Sequence, residues 1–247
     1  MSPRNSVLGA GRTRQRIVDR GLALASVDGL TIGRLATELA MSKAGVLGHF
    51  GTKESLQLAV VDAAAEMFSR EVPERARGVA PGLTHLRALC EAWVSYLERE
   101  LLPGGCFFTA AAAEFDGRPG PVRDAIAGMD SLWRRDLSIH IRRAITIGYL
   151  PPDTDPDQLV YELVGIMLAL NHSLQRHHDR QAAERTRCVM QRLMAEIRPH
   201  DRGGAAHAGV PLRHPRRRSP RRGLRVPRGR ATRGGPVAAD SPARIRN

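Results

Sequence analysis

The chain has 247 residues, 42% of them apolar but only 4% aromatic, and a formal net charge of +13. That length allows one large or two modest domains, the composition suits an alanine- and leucine-rich helical protein, and no run of about eighteen apolar residues could cross a membrane. The charge is misleading as a nucleic-acid signal, because residues 200–247 hold 13 arginines against two aspartates and the first 199 residues are close to neutral, so the isoelectric point says nothing about the part that folds.

The N-terminus, MSPRNSVLGAGRTRQR, is basic but lacks the apolar centre of a signal peptide, so the expected address is the cytoplasm. Arg4, Arg12, Arg14 and Arg16 read as a basic arm, flexible over residues 1–12. Apolar spacing then predicts helix almost everywhere before residue 199, with no sustained strand alternation. Ile17, Val18, Leu22 and Leu24 mark a first helix expected to stop at Asp28-Gly29. Thr31 is placed to cap a second helix whose Ile32, Leu35, Ala36 and Leu39 follow the spacing i, i+3, i+4, i+7, and Leu30 can close on Leu35 as a hydrophobic staple. The device repeats at once. Ser42 caps a third helix with Met41 and Val46 as its staple, and Thr52 caps a fourth that carries Leu56, Val60, Ala63 and Met67.

The third helix, MSKAGVLGHF with its cap, gains little from propensity, since a glycine inside a helix costs about 0.5 to 1 kcal/mol relative to alanine and this one has Gly45 and Gly48. Val46 and Phe50 suffice to dock it. A capped stub with small residues outward suits a helix that must approach another surface closely, and a DNA major groove about 12 Å wide admits one.

The stretch TIGRLATELAMSKAGVLGHFGTKE, residues 31–54, resembles the DNA-binding segment of the tetracycline-repressor (TetR) family of bacterial transcription regulators, with the His49-Phe50-x-x-Lys53-Glu54 ending as its distinctive part. The resemblance covers roughly residues 13–70. It implies an all-α fold: a DNA-binding domain over 13–70 with the helix-turn-helix at about 31–50 and an effector-binding and dimerisation domain over 71–198; the resemblance offers no role for residues 199–247, which by their composition read as a disordered Arg/Pro/Gly-rich tail. It further implies that the second helix braces on the DNA backbone through Thr31 and Arg34, and that the third enters the major groove. Ser42, Lys43, Ala44, Gly45, Leu47 and Gly48 would then meet bases, sugars or phosphates, and His49 and Lys53 would bond phosphates. Two positions depart from the family pattern. Ala40 stands where glycine is common, a cost on the order of 1 kcal/mol if the turn is left-handed. Leu47 stands where tyrosine is common, replacing a hydroxyl-to-phosphate bond with an apolar side chain suited to a thymine methyl.

After Val79-Ala80-Pro81-Gly82 the pattern predicts a helix from Leu83 to Leu102, another from Cys106 to Phe115, and a long one through Ile126, Met129, Trp133, Leu137, Ile141 and Ile145 that closes at Gly148. Asp155-Pro156 is a strong start for a helix with Leu159, Leu163, Ile166, Leu170 and Leu174 on one side and Gly165, Ala169 and Ser173 on another. A last helix carries Val189, Met190, Leu193, Met194 and Ile197. By the resemblance these last two helices build a four-helix homodimer interface, with Leu163, Gly165, Ala169, Leu170, Val189 and Leu193 as its candidate residues. Candidates for the effector pocket are Trp93, Tyr96, Phe107, Phe108, Met129, Trp133, Tyr161 and Met167. The effector itself does not carry over.

No catalytic set, phosphate loop or metal motif stands out. Cys90, Cys106 and Cys188 are scattered, and His172, His177 and His178 lack the i, i+4 spacing that puts two ligands on one helix face. No cofactor is expected. The leading expectation is a homodimeric repressor released from a palindromic operator by a small molecule; the alternative is a non-specific nucleic-acid-binding protein acting through the arginine-rich tail.

Overall fold

A computed structural model describes residues 3–24 and 30–196, with side chains over 9–24 and 30–194. The expected end of the first helix at Asp28-Gly29, the side chain of Arg4, Ile197 and the basic tail lie outside the described residues. Among the described residues ten helices run in order: α1 Pro3–Ala23, α2 Ile32–Glu38, α3 Lys43–Phe50, α4 Lys53–Glu71, α5 Pro73–Ala76, α6 Leu83–Glu98, α7 Phe107–Phe115, α8 Pro121–Ile147, α9 Pro156–His177 and α10 Ala182–Glu196. No strand occurs among the described residues.

The caps fall where the sequence puts them. The Thr31 hydroxyl accepts the Arg34 amide at 3.1 Å, Ser42 accepts Gly45 at 2.9 Å, and Thr52 accepts Ser55 at 3.0 Å. Each such bond is worth about 1 kcal/mol, which matters most for helices of seven and eight residues that cannot form alone. Leu30, Leu35 and Val46 are fully buried, so both staples close on the core. The turn between α2 and α3 is left-handed at Ala40, with φ of 53°, and it is held by Met41 N–H donating to the Ala36 carbonyl at 2.8 Å. This is a helix C-terminus of the Schellman type with alanine in the place where glycine is unstrained.

Two hydrophobic cores are stacked along the molecule. The first joins Ile17, Leu30, Leu35, Val46, Leu56 and Val60 to Phe107, Phe115 and Ile126 of α7 and α8. The second gathers Phe68, Leu86, Leu137, Ile141, Leu163 and Met167. Helix α4 runs through both. Its buried stripe is Leu56, Val60, Val61, Ala64 and Phe68, rotated slightly from the expected one, and Ala63 and Met67 are only half-buried. Helix α10 is clamped to α6 by Arg187, whose guanidinium donates to Glu91 at 2.8 Å and Glu98 at 2.9 Å.

Two expected boundaries move. The segment over 3–12, expected as part of a flexible basic arm, is the first part of helix α1. The helix expected over Leu83–Leu102 ends at Glu98, because the chain turns at Glu100 (φ 45°) to bury Leu102 in the first core, while Arg99 reaches back to Glu71 at 2.6 Å. The loop then passes against α9, where the Cys106 amide donates to the buried Asn171 side chain at 2.9 Å. Gly105 is required there: its φ is 80°, and a Cβ would lie 2.3 Å from Asn171 Oδ1.

Candidate DNA-contacting surface and ligand cavity

Helix α3 buries one residue, Val46, and leans Phe50 on α1, where the Arg14 guanidinium lies 4.8 Å from the ring centroid. Everything else on α3 turns outward. Ser42, Lys43, Ala44 and Gly48 are exposed, and Gly45, Leu47 and His49 are half-buried. A Cβ at Gly48 would meet nothing within 4 Å, whereas one at Gly45 would lie 3.2 Å from the Ser42 cap oxygen. Gly48 is therefore an open surface point, and Gly45 is part of the cap as well.

The neighbouring positions complete one face. Thr31 is exposed at the start of α2, with its hydroxyl proton still available after its oxygen has capped the helix. Lys53 is exposed at the first position of α4, where the helix dipole adds to its own charge in drawing an anion. Arg34 is already engaged: its Nε donates to Glu38 at 3.1 Å, and Arg20 of α1 donates to the same carboxylate. Partial burial pushes the Glu38 carboxyl up, but the bonds from Arg20 and Arg34 outweigh it and hold it below its usual range. The pair ties α2 to α1 and leaves Arg34 half-exposed beside the α3 face.

A second feature lies in the helical body. A cavity of about 710 Å³, open to solvent on one side, is lined by α4, α6, α7, α8 and α9. Of the eight pocket candidates, Trp93, Phe108, Met129 and Trp133 line it. The other four do not, and helix phase explains each. Phe107, one residue from Phe108, turns into the first core; Tyr96 and Met167 are packed in the second; Tyr161 is 69% exposed on the far side of α9. Sequence reasoning missed Phe68, Phe115, Ile126, Asp130 and Leu168 in the lining. Phe68 was hidden by its place on a helix assigned to DNA binding, although its stripe could have been continued one turn past Ala64.

The dimer candidates divide in the same way. Gly165 and Ala169 are exposed, and Val189 and Leu193 are half-buried. Leu163 and Leu170 are 0% and 1% exposed in the chain's own core and have no surface to offer. The outward stripe of α9 instead runs through Tyr161, Gly165, Leu168 and Ala169, with Leu168 47% exposed.

The cysteines are free; Cys90 and Cys106 are buried, and burial pushes the Cys90 thiol up to about 12, which keeps it unreactive. Among the described residues no group of three metal-binding side chains converges, and no helix is long and apolar enough to cross a membrane.

Residues 82–190 match the family described as tetracyclin repressor-like, C-terminal domain. No curated protein matches the chain. Among solved structures it is similar to a TetR transcriptional regulator from Chloroflexus aurantiacus, with 22% identity, a TM-score of 0.71, and coverage of 77% of this chain and 98% of that one. It is also similar to AibR, solved with isovaleryl coenzyme A and operator DNA, at 20% identity and a TM-score of 0.55, covering 76% and 94% of the two chains. A transcriptional regulator from Saccharomonospora viridis, solved with choline, aligns at 20% identity and a TM-score of 0.61 over 75% and 96%.

Proposed function

We propose that this chain, which belongs to the tetracycline-repressor (TetR) family of transcriptional regulators, is a cytoplasmic, non-enzymatic, homodimeric repressor released from a palindromic operator by a small molecule. The observation that carries the reading is the α3 surface: a capped helix that buries only Val46 and presents small or polar residues with Lys43 and Lys53 at its edges. Exposed glycine and alanine allow the backbone to approach base edges, while Lys53, His49 and Thr31 supply phosphate contacts that fix register without specifying sequence. Residues 13–70 act as the DNA-binding part and 71–198 as the effector and dimer part. Two copies joined through α9 and α10 present two α3 helices about 34 to 36 Å apart, one DNA turn.

The coupling runs through α4. Its N-terminus carries Lys53, and Phe68, fifteen residues or about 22 Å further along the axis, lines the cavity. Phe108 and Phe115 of α7 also line the cavity, and Phe115 packs in the first core with α1 and α4. A ligand that fits one inclination of α4 and α7 selects one separation of the α3 helices, with a coupling of about 1 to 3 kcal/mol. That neighbours of the same fold were solved with isovaleryl coenzyme A or with choline supports a ligand in this body, and their difference in charge means the fold alone does not choose it.

Selection of DNA sites by the purified protein from a random library tests this. A two-fold-symmetric consensus is expected, lost in Gly48→Glu. Binding without any enriched sequence would overturn it and favour non-specific attraction by the arginine-rich tail.

A further inference from the structure

The lining of the cavity is unusual in what it lacks. Phe68, Trp93, Phe108 and Trp133 form an aromatic cluster meeting edge to face, with Phe68 and Trp133 centroids 5.1 Å apart and Trp93 and Trp133 5.2 Å apart. Both indole nitrogens are buried without a hydrogen-bond partner among the described residues, and both rings line the void. The face of such a ring carries negative charge density and attracts a cation.

The charged groups around the lining point the same way. Three carboxylates, Asp116, Asp130 and Asp136, stand against two guanidiniums, Arg123 and Arg134. Each arginine is already matched: Arg134 holds Asp130 at 2.6 Å, and Arg123 lies 3.4 Å from Asp124. Among the described residues the basic group paired with Asp136 is His140, at 3.7 Å. Burial, with His85 and Arg143, makes that imidazole harder to protonate than a free one, against the opposing pull of Asp136. Arg135 and Arg142 line a separate groove on the flank of α8 with Tyr161. An anion entering the cavity would therefore find its cationic groups committed and a surplus of carboxylates, while a cation would find aromatic walls and Asp136.

We propose that the cavity binds a hydrophobic organic monocation, an apolar body bearing a quaternary or otherwise bulky ammonium, held by the aromatic cluster of Phe68, Trp93, Phe108 and Trp133 together with the carboxylate of Asp136. This rests on the reading of the cavity as the effector site and gives that site a ligand class. The occupant displaces α4 through Phe68.

The chain's two tryptophans both line the cavity, so intrinsic fluorescence reports its occupancy directly. The test titrates the full-length protein with three probes that share one apolar body: 4-phenylbutyltrimethylammonium, 4-phenylbutanol and 4-phenylbutyrate. The ammonium is expected to bind at least tenfold tighter than the alcohol, with the carboxylate weakest, and Asp136→Asn is expected to weaken the ammonium about fivefold while leaving the alcohol unchanged. Because the Asp136 side chain is 42% exposed, the substitution should not disturb the fold, and alcohol binding in the variant confirms that the cavity is intact. Tighter binding of the alcohol or the carboxylate overturns the cationic assignment and leaves the effector cavity standing. Absence of any fluorescence change with all three probes overturns the cavity reading, and the assignment with it.

Discussion

Among the described residues, helices α3 and α9 each leave a face uncovered, and the two faces are chemically opposite. On α3 the bare face is Ser42, Lys43, Ala44 and Gly48; on α9 it is Tyr161, Gly165, Leu168 and Ala169. A short polar helix with glycines gains nothing by hiding and everything by approaching a hydrogen-bonding surface closely. An apolar stripe on a 22-residue helix costs solvation while exposed and invites a protein surface to cover it. The difference is the basis of the proposal that DNA meets one face and a second copy of the chain the other.

The largest expected effect strikes the α3 face. Gly48→Glu should weaken operator binding by about 3 kcal/mol or more, roughly a hundredfold, because a carboxylate is pressed against phosphates where like charges cost several kcal/mol. Its site is open to 4 Å, so circular dichroism should show an unchanged fold. A second variant on this face, Gly45→Glu, is less clean, since it also crowds the Ser42 cap. On α9, Gly165→Arg adds a charge to the proposed interface without an intramolecular clash. It should shift sedimentation toward monomer and cost about 2 kcal/mol of operator affinity, since half-sites are no longer bound by linked modules. An intact dimer would move the interface elsewhere and break the contrast between the two faces.

Smaller effects sharpen the comparison. Lys53→Ala should cost about 1 to 2 kcal/mol of DNA affinity uniformly across sequences, because a phosphate contact positions without specifying; a changed consensus in a site-selection assay would make Lys53 a base reader. Ala40→Gly relieves left-handed strain of about 1 kcal/mol and gives back part of it in unfolded-chain entropy. A gain of about 0.5 kcal/mol in urea denaturation is expected. The gentlest effect is on pH. His140 binds its proton less readily folded than unfolded, burial being the main cause, so its contribution to stability is present above its ordinary value of 6.5 and declines as pH falls below it. Thermal denaturation between pH 7.5 and 5.5 should show a shallower decline in His140→Gln.

How much of this was legible in the sequence follows from the same contrast. Thr31, Ser42 and Thr52 announce their helices because a cap is a local device, settled within four residues. The faces of α9 were harder, because Leu163 and Leu170 on one side and Tyr161 and Leu168 on the other are both apolar, and periodicity alone does not say which stripe the chain keeps for itself. Phe107 misses the cavity for the same reason: it and Phe108 are adjacent in sequence and lie in different environments. The end of α6 was set by distant partners, Glu71 for Arg99 and the first core for Leu102, which no local signal encodes.

The central claim is that two copies of the α3 face read DNA together. Hydroxyl-radical footprinting of the full-length protein on its selected site tests it most directly. The account predicts two protected patches on one face of the duplex, related by two-fold symmetry and about one helical turn apart, at a stoichiometry of two chains per site. A single protected half-site, or continuous protection indifferent to sequence, would contradict it.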